Sequence, residues 1–158
     1  MYRNILVATD GSETSARAVR EALALAKSIG AKITVLHVMP PLSDLPAAAL
    51  AETYEASVNE GYILPPSLRA KVEEGVAARS RAMLDAVCAK AANAGVKCES
   101  AVAVSHSPYE AIIRQAGESN CDLIMMASHG RKGMQAIVLG SETTKVLVHS
   151  KIPVLVVR

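Results

Sequence analysis

Apolar positions along this chain follow two rhythms that alternate. Asn4-Ile5-Leu6-Val7-Ala8-Thr9 is a nearly unbroken apolar run, the pattern of a strand covered on both faces. Behind it Val19, Leu23 and Ala26 recur at helical spacing, with Ala22, Leu25 and Ile29 beside them. Ser12 is placed to cap that helix, Glu13 to sit in its first turn and Gly30 to end it. Ile33 to Val38 predicts a second strand. From Met39 to Ser67 both rhythms dissolve among Pro40-Pro41, Pro46 and Pro65-Pro66, with room for a short helix within Ala47 to Val58. This segment reads as a long excursion from the fold.

Helical spacing returns from Leu68 to Ala94, where Leu68, Val72, Val76, Leu84, Val87 and Ala91 share a face, with Gly75 inside and Gly95 as the stop. Cys98 to Val104 predicts a third strand. Ser107-Pro108-Tyr109-Glu110 has the spacing of a capping box with proline at the first helical position, opening a helix that carries Ile112, Ile113 and Ala116. Leu123 to Met126 predicts strand four, Ser141 to Ser150 a last helix, and Pro153 to Val157 strand five. Strands separated by helices imply parallel pairing, so the expected fold is a three-layer α/β/α sandwich around a five-stranded parallel sheet.

Composition narrows the function classes. A chain of 158 residues is read as one domain, 1–158, with enough length for a full core. Although 51% of residues are hydrophobic, no apolar run approaches the roughly 18 residues that span a membrane. Met1-Tyr2-Arg3-Asn4 leads straight into the first strand, so no signal peptide and no membrane partner are expected, and a cytoplasmic location follows. A net charge of +2, no long basic run, no Phe, no Trp and four Tyr argue against a nucleic-acid partner. The three cysteines, Cys88, Cys98 and Cys121, are odd in number and lack metal-ligand spacing. They are read as buried, inert thiols rather than a disulfide or zinc framework, with a redox role as the lesser alternative.

Ligands of open α/β sheets bind outside the carboxyl ends of the strands, where strand order reverses. Two of the strand exits combine polar groups with glycine. Asp10-Gly11-Ser12 follows strand one. There Asp10 suits a ribose hydroxyl or an adenine amino group as acceptor, and equally suits a turn or cap. Ala127-Ser128-His129-Gly130 follows strand four, with Gly140-Ser141 opening the last helix. Glycine admits a close backbone approach and a helix N-terminus favours anions, so this stretch points to phosphates; Arg131 and Lys132 add positive charge. An ordinary loop with a basic tip has the same residues. His129 has neither a metal-ligand neighbour at ligand spacing nor a nearby carboxylate, which favours a structural or backbone-contact role. His37 is read as a packed core residue, His106 and His149 as loop and surface residues. Met39, Met125 and Met126 suit core packing or the wall of an apolar adenine pocket.

Together these features resemble the universal stress protein family over the whole chain. The resemblance rests on Ile5 through Ser12, on Leu36-His37-Val38, on Ala127-Ser128-His129-Gly130 through Gly140-Ser141, and on Pro153-Val154-Leu155-Val156-Val157. The family's ATP-binding branch carries glycine, two residues, glycine, nine residues, then glycine with serine or threonine. Gly130, Gly140 and Ser141 match that pattern, and Ala127 stands where the first glycine would be.

The resemblance implies a Rossmann-like fold of the adenine nucleotide alpha hydrolase-like kind, in strand order 3-2-1-4-5. It implies that Asp10 meets the ribose or base, that Val38 reads the adenine edge through its backbone, and that Ala8, Thr9 and Met126 line the pocket. His129, Gly130, Arg131, Gly140, Ser141, Glu142 and Thr143 would surround ribose and phosphates. Glu142, a carboxylate beside phosphates, either points away or holds a metal ion, on which account Mg²⁺ is expected. Ala127 weakens binding about fivefold if its backbone needs a positive φ and that strain falls on the bound state alone, and by more if its methyl overlaps the ribose. The apolar last strand, at a sheet edge, implies a two-fold homodimer through Pro153–Val157.

The function expected is therefore that of an adenine-nucleotide-binding stress-response or regulatory protein, taking ATP, ADP or AMP, with at most slow ATP hydrolysis. An interaction module of the same fold that binds no nucleotide is the alternative, and a slow ATPase or nucleotidyltransferase-type enzyme a further one. His129-Gly130-Arg131-Lys132 lacks the second histidine of an adenylyl-transfer signature. Asp10-Gly11-Ser12 is not a pyrophosphatase loop, and strand three does not end in a phosphate-accepting aspartate.

Overall fold

A computed structural model of the chain describes residues 1–44, 66–128 and 139–158. In chain order the elements are β1 (Asn4–Ala8), α1 (Glu13–Ile29), β2 (Lys32–Met39), α2 (Pro66–Asn93), β3 (Cys98–Val104), α3 (Pro108–Glu118), β4 (Leu123–Ala127), α4 (Ser141–His149) and β5 (Val154–Val157). All strand pairs are parallel, and the sheet order is β3-β2-β1-β4-β5, as expected. The excursion expected from Met39 to Ser67 is shorter at both ends. Met39 closes β2, Leu42–Asp44 forms a single 3-10 turn and α2 begins at Pro66. The short helix expected within Ala47 to Val58 lies outside the described residues.

Period-two alternation sends successive strand residues to opposite faces of the sheet. Ile5, Val7, Ile33, Val35, Leu123 and Met125 face α1 and α2, where Ala18, Val19, Ala22, Ala26, Leu84 and Ala91 meet them. Leu6, Leu36, Ile124 and Met126 face α3 and α4, against Ile112, Ala116 and Val146. Both faces are covered, which is why the strands read as continuous apolar runs. The helix ends follow their residues. Ser12 Oγ accepts the Ser15 N–H, and Gly30 closes α1 at φ 68°, a conformation that glycine adopts without a Cβ penalty.

The capping box expected at Ser107 does not form. The Ser107 hydroxyl caps nothing, and Glu110 accepts from the Tyr109 hydroxyl at 2.8 Å instead. Proline at the first helical position has no N–H, so the first donor of α3 is Tyr109 N–H. It goes to Glu142 Oε2 of α4, 3.0 Å away. A carboxylate brought in by the fold outcompetes a local hydroxyl because a charge-assisted bond is about twice as strong.

The expectation of three inert thiols is also corrected. Cys88 of α2 and Cys98 of β3 form a disulfide, with Cα atoms 5.2 Å apart, and Cys121 alone is free and buried. The two are ten positions apart in sequence, and Gly95, at φ 76°, turns the chain so that β3 starts beside the end of α2. Metal spacing and an odd count carry no signal for such a contact, which depends on the helix-to-strand turn.

Candidate functional site

The central strand β1 ends between β2 and β4, and the chain leaves it in opposite directions, so a crevice opens above its carboxyl end. The β1–α1 turn is built from its own side chains. Gly11 takes φ 77°; its N–H donates to Thr9 Oγ1 (3.2 Å), and the Ser12 N–H donates to Asp10 Oδ1 (3.0 Å). Thr9 Oγ1 also lies 3.0 Å from Ser15 Oγ, and the residue is buried. Asp10 thus fulfils the turn role the sequence allowed, at the mouth of the crevice. Ala8 is half-buried just below it.

On the β2 side, Leu36 C=O accepts the Thr9 N–H and Met39 C=O accepts the Ser105 N–H of the strand-three exit. In an extended strand the peptide groups alternate in direction. Leu36 therefore addresses β1, Met39 addresses β3, and Val38 is turned to the β1 side, one step beyond the last β1 pair, Ala8 with Leu36. That places its N–H and C=O at the crevice. His37, expected to be a packed core histidine, is half-buried and spans this gap: its Nδ1 donates to Thr9 C=O at 2.8 Å. A carbonyl only accepts, so Nδ1 carries the proton.

On the β4 side, Ala127 is the last strand residue, paired with Val157, and its methyl is packed in the core beneath α1. Among the described residues Asn120 is the only non-glycine with positive φ, so Ala127 carries none of the left-handed strain considered from sequence. Gly140 N–H donates to Ser128 C=O (2.8 Å) and Ser128 N–H to Val157 C=O (2.8 Å), which pins the start of α4 to the sheet. Thr143 is buried, and its hydroxyl donates to Ala127 C=O at 3.0 Å, so its role is to hold β4 and α4 together. Met126 is likewise a core side chain.

Gly140, at φ −59° and ψ 151°, is the N-cap of α4, and among the described residues no side chain caps that end. Ser141 is exposed beside it. The Glu142 carboxylate is turned away, toward α3. Besides Tyr109 N–H it accepts from Lys145 Nζ at 2.7 Å, which raises the lysine above its usual range. Lys145 Nζ also stands 5.4 Å from the centre of the Tyr109 ring, and the His149 ring lies tilted against that ring with centroids 5.3 Å apart. Of the two geometries Glu142 could take, the structure shows the one that points away.

His129, Gly130 and Arg131, with Lys132, lie outside the described residues. Among those described, no group of three His, Cys, Asp or Glu side chains is placed to hold a metal ion, and no helix is long and apolar enough to cross a membrane. One pairing had no sequence signal: His106 Nδ1 lies 2.7 Å from Asp44 Oδ2, both exposed, joining the exits of β3 and β2. The hydrogen bond from His106, helped by Ser43, holds the Asp44 carboxyl below its ordinary range. Asp44 and His106 are 62 residues apart, on two loops that only the finished sheet brings together.

Comparison with known proteins agrees with this architecture. A sequence model of the universal stress protein family matches residues 1–158. The Thermus aquaticus universal stress protein in the QAH/OAS sulfhydrylase 3′ region is 32% identical, covering 100% of both chains. The solved structure of MJ0577 of Methanocaldococcus jannaschii superposes with a TM-score of 0.76 at 25% identity, covering 99% of this chain and 96% of that one. A universal stress protein solved in complex with cAMP superposes with a TM-score of 0.67 at 25% identity, covering 99% of this chain and 97% of that one. With the match running the whole length and the fold shared with solved members, the chain belongs to the universal stress protein family.

Proposed function

We propose that this chain binds an adenine nucleotide in the crevice above β1 and acts as a regulatory, stress-response protein with at most slow ATP hydrolysis. The observation that carries the reading is the pairing of Val38's crevice-facing peptide groups with the start of α4, which no described side chain caps, across the same opening. The first offers a donor and an acceptor to a base edge, the second N–H groups and a positive dipole end to phosphate. Asp10 stands between them at the ribose position, and Ala8 forms the floor. Ser141 offers a hydroxyl at the phosphate end, and His129, Gly130 and Arg131 belong to the same segment of chain. The neighbour solved with cAMP supports an adenine ligand of this kind. Both Glu142 oxygens already have partners, so any Mg²⁺ that accompanies the nucleotide does not rely on a free carboxylate from Glu142. Asp122 lies at the opposite end of the sheet, before β4.

Calorimetric titration with ATP, ADP and AMP, with and without Mg²⁺, tests this reading. We expect binding, and a loss of roughly 10- to 100-fold in Asp10→Ala, in line with a hydrogen bond to a charged group. No heat with any of the three, and no nucleotide in the mass spectrum of material released from fresh protein, would leave an interaction module instead. We further propose a homodimer through Pro153–Val157: β5 is an edge strand, and Leu155 is 39% exposed on it. Light scattering should give twice the chain mass at micromolar concentration; a monomer mass counts against the dimer.

A further inference from the structure

We propose that Cys88 and Cys98 form a reversible thiol–disulfide couple whose state sets how firmly α2 is held to β3. The pair links the last turns of a 28-residue helix to the first residue of a strand at the sheet edge. Both cysteines are half-buried, so a small thiol can reach the bond, whereas Glu99 and Ser100 beside it are exposed. The third cysteine is kept apart. Cys121 packs on the α3 and α4 face, and the disulfide lies on the α1 and α2 face. Burial pushes the Cys121 thiol up, away from the reactive thiolate. The sheet therefore prevents exchange among the three sulfurs while the fold is intact.

The chemistry balances without a metal or cofactor. A dithiol reductant attacks one sulfur as thiolate, the other cysteine leaves as thiolate, and the reductant's second thiol closes its own disulfide and frees the first cysteine. In the reverse direction one low-molecular-mass disulfide is consumed and two of its thiols are released. The closed loop is short, ten residues in sequence separation, yet the crosslink removes freedom from the unfolded chain and ties Leu84 and Ala91 of α2 into the core.

The test uses the full-length protein, dithiothreitol as reductant and glutathione disulfide as oxidant. After glutathione disulfide treatment, acid quench and alkylation under denaturing conditions, one labelled thiol is expected, rising to three after dithiothreitol. Reduction should lower Tm by roughly 5–10 °C. It should also speed amide exchange most within residues 84–104. The double variant Cys88→Ser with Cys98→Ser should show no response to dithiothreitol. If that variant does not fold, Cys121→Ser in both redox states replaces it and must reproduce the wild-type shift. Three labelled thiols after the oxidant, a Tm unchanged by reduction, or an equal shift in the double variant would overturn the proposal.

Discussion

A methyl group at position 127 is judged by the backbone that carries it. In the motif this residue stands in a glycine's place, and from sequence the question was whether alanine strains a left-handed turn. In the fold it is the last residue of a strand, with ordinary φ and a methyl in the core. Restoring the motif with Ala127→Gly should therefore destabilise the protein, by about 1 kcal/mol, through added backbone freedom and lost burial. Urea unfolding checks it, and an unchanged or higher midpoint would show that Ala127 is strained after all. Residue type was legible here; residue conformation was not, because φ is set by where β4 ends. His37 illustrates the same limit. Its place within strand two was clear, but its bond to Thr9 C=O depends on β1 ending one residue short of it.

Elements were the most legible layer, because apolar periodicity and punctuation by Ser12, Gly30 and Gly95 act locally. What failed at this scale were partners drawn from another element. Ser107 to Glu110 has every mark of a self-capping helix start, yet the cap comes from Glu142, 33 residues on. Glu142→Ala should lower stability by about 1–2 kcal/mol, a Tm drop of roughly 2–8 °C, as expected for losing a helix cap. Glu142→Gln keeps an acceptor for Tyr109 N–H and gives up only the exposed pair with Lys145, so it should recover more than half of that drop. Thermal melts of the two variants decide: equal losses would mean that the charge, not the cap, matters.

For the whole molecule, alternation of strand and helix was enough to read a three-layer sandwich, and the family resemblance supplied the strand order. Contacts that close the sheet far from the crevice were not readable. Asp122, just before β4, accepts the N–H groups of Arg3 and Asn4 at 2.9–3.0 Å and so joins the starts of the central strands. Partial burial pushes its carboxyl up, but the N–H groups of Asn4, Arg3 and Asp122 itself, together with the Arg3 charge, hold the group below the usual carboxylate range. A folded value below the unfolded one means that the stabilisation is complete above about pH 4 and fades as pH falls through the folded value. Urea midpoints between pH 5 and pH 2 should therefore fall more steeply in the wild type than in Asp122→Asn, whose amide oxygen accepts without titrating. Parallel slopes would contradict this.

The bond from Gly140 N–H to Ser128 C=O has an evolutionary meaning. It ties the residue before α4 directly to the residue after β4, so that two described positions seat the helix against the sheet. Lengthening such a closed segment is inexpensive, with each doubling adding only about 0.6 kcal/mol. A change of sequence or length between Ser128 and Gly140 is thus expected to leave the seat of α4 in place, the condition under which evolution can vary one stretch of a chain without redesigning the rest.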